Sequence, residues 1–238
     1  MLENLLTDSE AVIRQHVAAQ LVPLSVVAIQ RKSGKLQDYL DDPSLHKLKY
    51  DKDGVKSIQK YTLKYLETFL QDPEVDVRRA AADALATLNL HWPSAVPHAL
   101  EVAQRLVDEN PPTGVKAPDG AKKKRTEAEQ RSEELRVTSC NMYAELGGAV
   151  GESLKEEPPE WIHETVLPAL LKLCSDESFR VRRAATQALP RVLGACTAED
   201  AAKQLLPAFE KLSQREIHRV RKSSGECRED MSRALRRV

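Results

Sequence analysis

Aspartate and arginine recur in this chain at one fixed spacing, and they are the first candidates for chemistry. Asp8 lies six positions before Arg14, Asp72 six before Arg78, and Asp176 six before Arg182; a further arginine, Arg221, has Arg215 where the aspartate should stand. A guanidinium fork can serve both oxygens of a carboxylate at once. The pattern therefore predicts a ladder of pairs along one edge of the molecule, each arginine bridging to the aspartate of its own turn or of the next. Exposed pairs of this kind contribute about 0.5 kcal/mol each, and more when bidentate and partly buried. The doublets Arg78-Arg79 and Arg182-Arg183, with Arg221-Lys222, add a second possibility. Their second members, Arg79, Arg183 and Lys222, are placed to contact an acidic partner. Lys122, Lys123, Lys124 and Arg125 form the one run of like charge, readable as a nuclear-import signal or as a solvated stretch of loop.

Other reactive residue types form no constellation. Cys140, Cys174, Cys196 and Cys227 stand 34, 22 and 31 residues apart, too scattered for a disulfide-stapled fold and without CxxC metal spacing. They are expected to pack as small apolar residues. His16, His46, His91, His98, His163 and His218 are dispersed, and no HExxH or nucleophile-elbow context occurs. Gly147, Gly148 and Gly151 (AELGGAVG) make no phosphate loop and read as a helix end. The expectation is no catalytic residue, no cofactor and no metal.

The elements that must hold the arginines follow from repetition. Residues 69–88 (FLQDPEVDVRRAAADALATL) and 173–192 (LCSDESFRVRRAATQALPRV) match, and residues 5–24 and 212–231 follow more loosely. From the residue before each arginine, Val77, Ala80, Ala81, Ala84, Leu85 and Leu88 fall at offsets 0, 3, 4, 7, 8 and 11, as do Val181, Ala184, Ala185, Ala188, Leu189 and Val192. Those offsets trace one stripe of a helix. A first helix precedes each turn, at residues 57–70, 95–107, 165–173 and 204–212, and Pro168 and Pro207 start or kink two of them. In the third unit the second helix is expected at residues 135–146, with Arg136 as its arginine. Spacings between successive arginines are then 64, 58, 46 and 39, of which the last is a plain two-helix period. Two insertions supply the excess: a long polar connection at residues 31–55, broken by Gly34, Pro43 and Gly54 and with room for a short helical piece, and a Pro- and Gly-rich basic segment at 110–130 that should be disordered.

The predicted fold is an all-α solenoid of about five helix pairs in a single array, with repeats near 1–30, 57–92, 95–151, 160–195 and 199–238. Such pairs bury their stripes only against neighbours and present long continuous surfaces. The chain carries 36 basic and 36 acidic residues, which gives no general attraction to nucleic acid or to an anionic membrane. No apolar run reaches the roughly 18 residues of a bilayer span, and the start, MLENLLTDSE, lacks the basic and apolar regions of a signal peptide. Hydrophobic residues at 41% suffice for a core, built from aliphatic side chains because aromatics make up only 4%. These features predict a soluble, reduced, intracellular protein, cytoplasmic and also nuclear if the basic run is read. Met1 lies about two helical turns before Asp8, so the first repeat lacks most of its first helix, and the Arg221 helix carries Met231, Leu235 and Val238 with no polar capping repeat after it; the expectation is a fragment of a longer array.

The Asp-x-x-x-x-x-Arg turn, the small-residue stripe and the proline of the preceding helix resemble HEAT repeats. Within that class, residues 166–227 (from VLPALLKLCSDESFRVRRAATQALPRVLGAC to RVRKSSGEC) resemble protein phosphatase regulatory subunits. The nearest likeness is to the regulatory subunit 1 family of protein phosphatase 4, and a more distant one is to the scaffold subunit of protein phosphatase 2A. The resemblance implies a non-catalytic scaffold that docks a serine/threonine phosphatase catalytic subunit of type 4 or 2A and directs its substrate choice. It also implies that the partner lies along the turns at residues 8–13, 72–77, 176–181 and 215–220. The alternative is a transport receptor or other HEAT adaptor for unrelated proteins.

Overall fold

The structure is a computed structural model, and it describes residues 2–29, 52–92, 95–112, 126–153, 158–215 and 218–236. Every regular element among them is helical: α1 (Leu2–Leu6), α2 (Ala11–Ile29), α3 (Lys52–Ser57), α4 (Leu63–Leu70), α5 (Val75–His91), α6 (Val96–Asp108), α7 (Glu127–Ser153), α8 (Leu167–Leu173), α9 (Phe179–Leu193), α10 (Ala198–Asp200), α11 (Leu206–Arg215) and α12 (His218–Leu235). The fold class is the all-α solenoid. The helices form two compact units, residues 1–99 and 100–238.

In the first unit, α2 packs against α5, and α4 closes against α5 across the turn that joins them. Val77, Ala81, Ala84, Leu85 and Leu88 of the predicted stripe are buried, with Ala80 half-buried at its margin. In the second unit the second helices stack in sequence, α7 on α9 and α9 on α12, while α8 and α11 each pack on the helix that follows. There Val181, Ala184, Ala185, Ala188, Leu189 and Val192 are all buried. The alanines keep helix axes close and the larger side chains fill the space left over, so the stripe read from spacing is the packing surface.

A π-helical turn enters three of the first helices: Ile58–Thr62 before α4, Ile162–Val166 before α8, and Ala201–Leu205 before α11. In each the closing N–H, of Leu63, Leu167 or Leu206, donates to a carbonyl five residues back. Pro168 and Pro207 fall directly after two of these turns. The widened turn accommodates a ring that lacks an N–H and would crowd the preceding carbonyls. Proline is not the cause, because Lys64 holds the same position after the turn at Ile58–Thr62.

Several sequence expectations need correction. The polar connection is shorter than residues 31–55, since α3 begins at Lys52 and buries Gly54 within it; residues 30–51 lie outside the described residues. The segment 110–130 ends earlier than expected, because α7 starts at Glu127 and runs to Ser153, well beyond residues 135–146. A capping box starts it: Glu129 N–H donates to Thr126 Oγ1 at 3.2 Å, and Thr126 N–H donates to Glu129 Oε2 at 2.8 Å. Gly147 and Gly148 do not end a helix but sit inside α7, against α9. A Cβ at Gly147 would meet the Val192 Cα at 2.9 Å, and one at Gly148 would meet the Arg191 Nε at 2.7 Å. Here glycine permits close approach of two helices.

Residues Ala11–Ala28 of α2 do reach the length and mean hydropathy, 1.3, of a membrane-crossing helix, contrary to the reading of contiguous runs. Arg14, Gln15, His16 and Gln20 interrupt the run without lowering its average enough. In the structure the helix belongs to the core of its unit, with Val17, Ala18, Leu21, Val22 and Val26 buried and Arg14 engaged by Asp72.

Candidate functional site

Three inter-helix turns are each organised by an aspartate. Asp8 Oδ1 accepts from the Glu10 N–H at 2.9 Å, Asp72 Oδ1 from Glu74 at 2.9 Å, and Asp176 Oδ1 from Ser178 at 2.8 Å. This contact, two residues on, is the aspartate turn that precedes a helix. The arginine six positions later secures the other side. Arg14 Nη1 donates to the carbonyls of Asp8 and Ser9, Arg78 Nη1 to those of Asp72 and Pro73, and Arg182 Nη1 to those of Asp176 and Glu177. Turn carbonyls that no helix satisfies thereby gain a donor.

The same guanidinium then reaches forward. Arg14 donates from Nε and Nη2 to the two oxygens of Asp72 at 2.7 and 2.9 Å. Arg136 does the same to Asp176, at 2.8 and 3.3 Å. In both pairs the acid belongs to the next repeat and not to the arginine's own turn. Only a fork with donors on several nitrogens can cap one turn and clamp the next. Burial works against the charge on Asp72, but the Arg14 hydrogen bonds, the Glu74 N–H and the charges of Arg14 and Arg78 together hold its carboxyl below the ordinary value. The Asp72 carboxylate in turn raises the Arg14 guanidinium.

Arg136 also reveals a turn residue that the sequence pattern hid. Its Nη1 donates to the Asn110 carbonyl at 2.9 Å, so Asn110 takes the place that Asp8, Asp72 and Asp176 hold elsewhere. The insertion stretches their separation from six to 26 residues. A polar group beside this turn, Glu133, is buried and accepts from Ser178 Oγ, while Arg180 pairs with it at 3.4 Å.

Arg221 stands apart from the other arginines. It is exposed on α12, and no carboxylate is paired with it among the described residues. Its turn, residues 215–220, lies partly outside them, as do Lys122, Lys123, Lys124 and Arg125. The second residues of the doublets are on the surface: Arg79 pairs with Asp76 at 3.2 Å, Lys222 lies 3.9 Å from Glu226, and Arg183 Nε donates to Ser223 Oγ at 2.9 Å. Exposed ion pairs such as those of Arg79 and Lys222 add little to stability.

Chemistry of the catalytic kind has little support in the side chains. Among the described residues no group of three or more His, Cys, Asp or Glu converges as a metal site would require. All four cysteines are buried. Burial raises every one of these thiols, Cys174 and Cys196 to about 12, which keeps them protonated and poorly nucleophilic. His163 Nδ1 lies 3.0 Å from Asp200 Oδ1, in a local network with Thr197 and Gln204 that tethers the start of α10 to the π turn before α8.

Comparison with known proteins agrees with this geometry. Residues 63–91 and 166–196, each a helix, its turn and the following helix, match the HEAT repeat family. These two segments are similar to HEAT repeats. A HEAT-repeat scaffold is suited to binding proteins, and the match indicates no catalytic family. No curated protein matches the chain. Similar solved structures include a designed armadillo repeat protein in complex with the peptide (KR)4, at 18% identity over 97% of this chain and 98% of that one, with a TM-score of 0.44. A second is an engineered protein at 17% identity over 98% and 97% of the two chains, with a TM-score of 0.42. A third is a computationally designed armadillo repeat protein for modular peptide recognition, at 18% identity over 96% and 98%, with a TM-score of 0.42.

Proposed function

We propose that this HEAT-repeat chain is a non-catalytic regulatory subunit that docks a serine/threonine phosphatase catalytic subunit, of type 4 or 2A, along its inter-helix turns and directs substrate choice. The observation that carries the binding edge is the double use of Arg14 and Arg136, each of which holds the carbonyl of one turn and clamps the aspartate of the next. A docking surface gains affinity when its backbone is ordered before the partner arrives. Turns fixed in this way keep Arg79 in the first unit and Arg183 in the second at set positions within their own units. The phosphatase assignment is supported by the likeness of residues 166–227 to phosphatase regulatory subunits.

Affinity purification of the tagged chain from cells, followed by mass spectrometry, tests the reading. Recovery of a type 4 or type 2A catalytic subunit supports it. A preparation with neither, holding a small GTPase in their place, favours a transport adaptor and overturns it.

A further inference from the structure

The first helix of the second repeat carries a line of lysines without acids. It runs from α3 through the π turn at Ile58–Thr62 into α4, with Lys56, Lys60 and Lys64 at intervals of four and all exposed. Four residues of α-helix turn about 40° past a full circle, so lysines spaced in this way would wind by about 80° over the two steps. The π turn inserts one residue and takes back about 100°. The three lysine positions therefore fall nearly in one line, about 6 Å apart along the axis. Tyr61 and Tyr65 stand one residue on from Lys60 and Lys64. Tyr61 is 43% exposed, its ring centroid lies 6.2 Å from that of Tyr65, and the Lys60 Nζ sits 5.0 Å from its centre.

The fold does not require these residue types. Counted from the π turn, the places of Lys56, Lys60 and Lys64 are taken by Glu160, Glu164 and Pro168 ahead of and in α8, and by Glu199, Lys203 and Pro207 ahead of and in α11. Those of Tyr61 and Tyr65 are taken by Thr165 and Ala169, and by Gln204 and Ala208. Exposed lysines elsewhere stand near an acid: Lys203 lies 2.5 Å from Glu199 and Lys222 3.9 Å from Glu226. Among the described residues no carboxylate pairs with Lys56, Lys60 or Lys64, and Glu67, the acid of α4, is half-buried. Residues 31–51, which precede the helix, hold five basic and four acidic residues and add no net negative charge. Like charges four apart on a helix repel and destabilise it. An anion lying along the line would remove that cost.

We propose that the line of Lys56, Lys60 and Lys64, with Tyr61 and Tyr65 beside it, docks an extended acidic segment of a partner protein that carries carboxylates at alternate positions. Alternate side chains of an extended chain project to one side about 6.6 Å apart, close to the lysine spacing. A nucleic-acid strand would meet the same charge, but it gains affinity by stacking its bases on open aromatic faces. The Tyr61 ring is already engaged by the Lys60 ammonium and packed beside Tyr65. This goes beyond the phosphatase reading and uses none of the turns or residues assigned to it. Its failure would leave the co-purification result standing.

The probe is a short fluorescein-labelled peptide of alternating glutamate and serine, titrated with the full chain by fluorescence anisotropy. We expect saturable binding that weakens as salt is raised. It should fall at least fivefold with Lys60→Gln and Lys64→Gln together, and stay unchanged with Lys203→Gln, whose lysine has its own acid. All three side chains are exposed, so the variants keep the packed stripes, and equal melting temperatures check that they do. Absence of saturable binding, or binding indifferent to Lys60 and Lys64, overturns the proposal. So does a short oligothymidylate that binds more tightly than the peptide and loses its affinity with Tyr61→Ala, since nucleic acid would then be the occupant.

Discussion

Arg136 and Asp176, forty residues apart in sequence, are joined by two hydrogen bonds of 2.8 and 3.3 Å in a site where both side chains are buried. Arg136 also holds the Asn110 carbonyl, and Asp176 also holds the Ser178 N–H. One pair thus ties a turn, two helices and the start of a third element together.

Removing either member of this pair leaves a buried charge without its partner. Arg136→Ala and Asp176→Ala are each expected to destabilise the chain by about 3 kcal/mol. The double variant should cost much less than their sum, because the stranded charge disappears with its partner. Arg136→Lys should not rescue, since an ammonium cannot serve two carboxylate oxygens and a carbonyl in this geometry. Urea denaturation of the four proteins measures all of these; additive losses would show the two residues to be independent.

The Asp72 carboxyl makes a pH prediction. Its folded value lies below the ordinary 3.8 because of Arg14 and its other partners. A depressed carboxyl contributes its stability above the unfolded value and loses it as pH falls through the folded one. Unfolding free energy should therefore drop between about pH 5 and pH 3 more steeply in the parent than in Asp72→Asn, which has no proton to bind there. Parallel pH profiles for the two proteins would contradict the assignment.

Two glycines should respond oppositely to alanine. At Gly147 the added methyl would press on the Val192 backbone at 2.9 Å, an overpacking worth about 1–3 kcal/mol of lost stability. At Gly225, in mid-helix on α12, nothing lies within 4 Å of the added carbon. Alanine there should stabilise by about 0.5–1 kcal/mol through helix propensity. Thermal melts of Gly147→Ala and Gly225→Ala shifting in the same direction would refute this contrast.

Buried thiols should be slow to react. Cys140 and Cys174, both deep in the second unit and both raised by burial, should resist iodoacetamide at pH 8 in the native chain and be alkylated on denaturation. Rapid native labelling of either would mean that the α7, α8 and α9 packing opens readily.

What was legible in the sequence was periodic. Val77 to Leu88 and Val181 to Val192 share offsets because both stripes meet neighbouring helices, and a stripe is visible in one chain segment at a time. The direction of the ladder was not: whether Arg14 serves Asp8 or Asp72 depends on which turn lies nearer in space, and the spacing of six is common to both readings. Asn110 was missed because the insertion moved it 26 residues from Arg136, so no local pattern linked them. Thr126 and Glu129 carried a readable capping-box signal, overshadowed by the basic and Pro/Gly-rich residues before them. Gly147 and Gly148 were read as a helix end because glycine's two uses, ending a helix and admitting a neighbour, look alike until Val192 and Arg191 are seen beside them.

The most direct test of the turn edge as a docking surface is the affinity of the purified chain for a purified type 4 or type 2A phosphatase catalytic subunit, measured by calorimetry with and without Arg79→Glu and Arg183→Glu. Both side chains lie on the surface, so the substitutions leave the ladder arginines and the packed stripes in place. We predict binding to at least one catalytic subunit, weakened tenfold or more by the paired charge reversals while the melting temperature is little changed. Undiminished binding by the double variant would contradict the account.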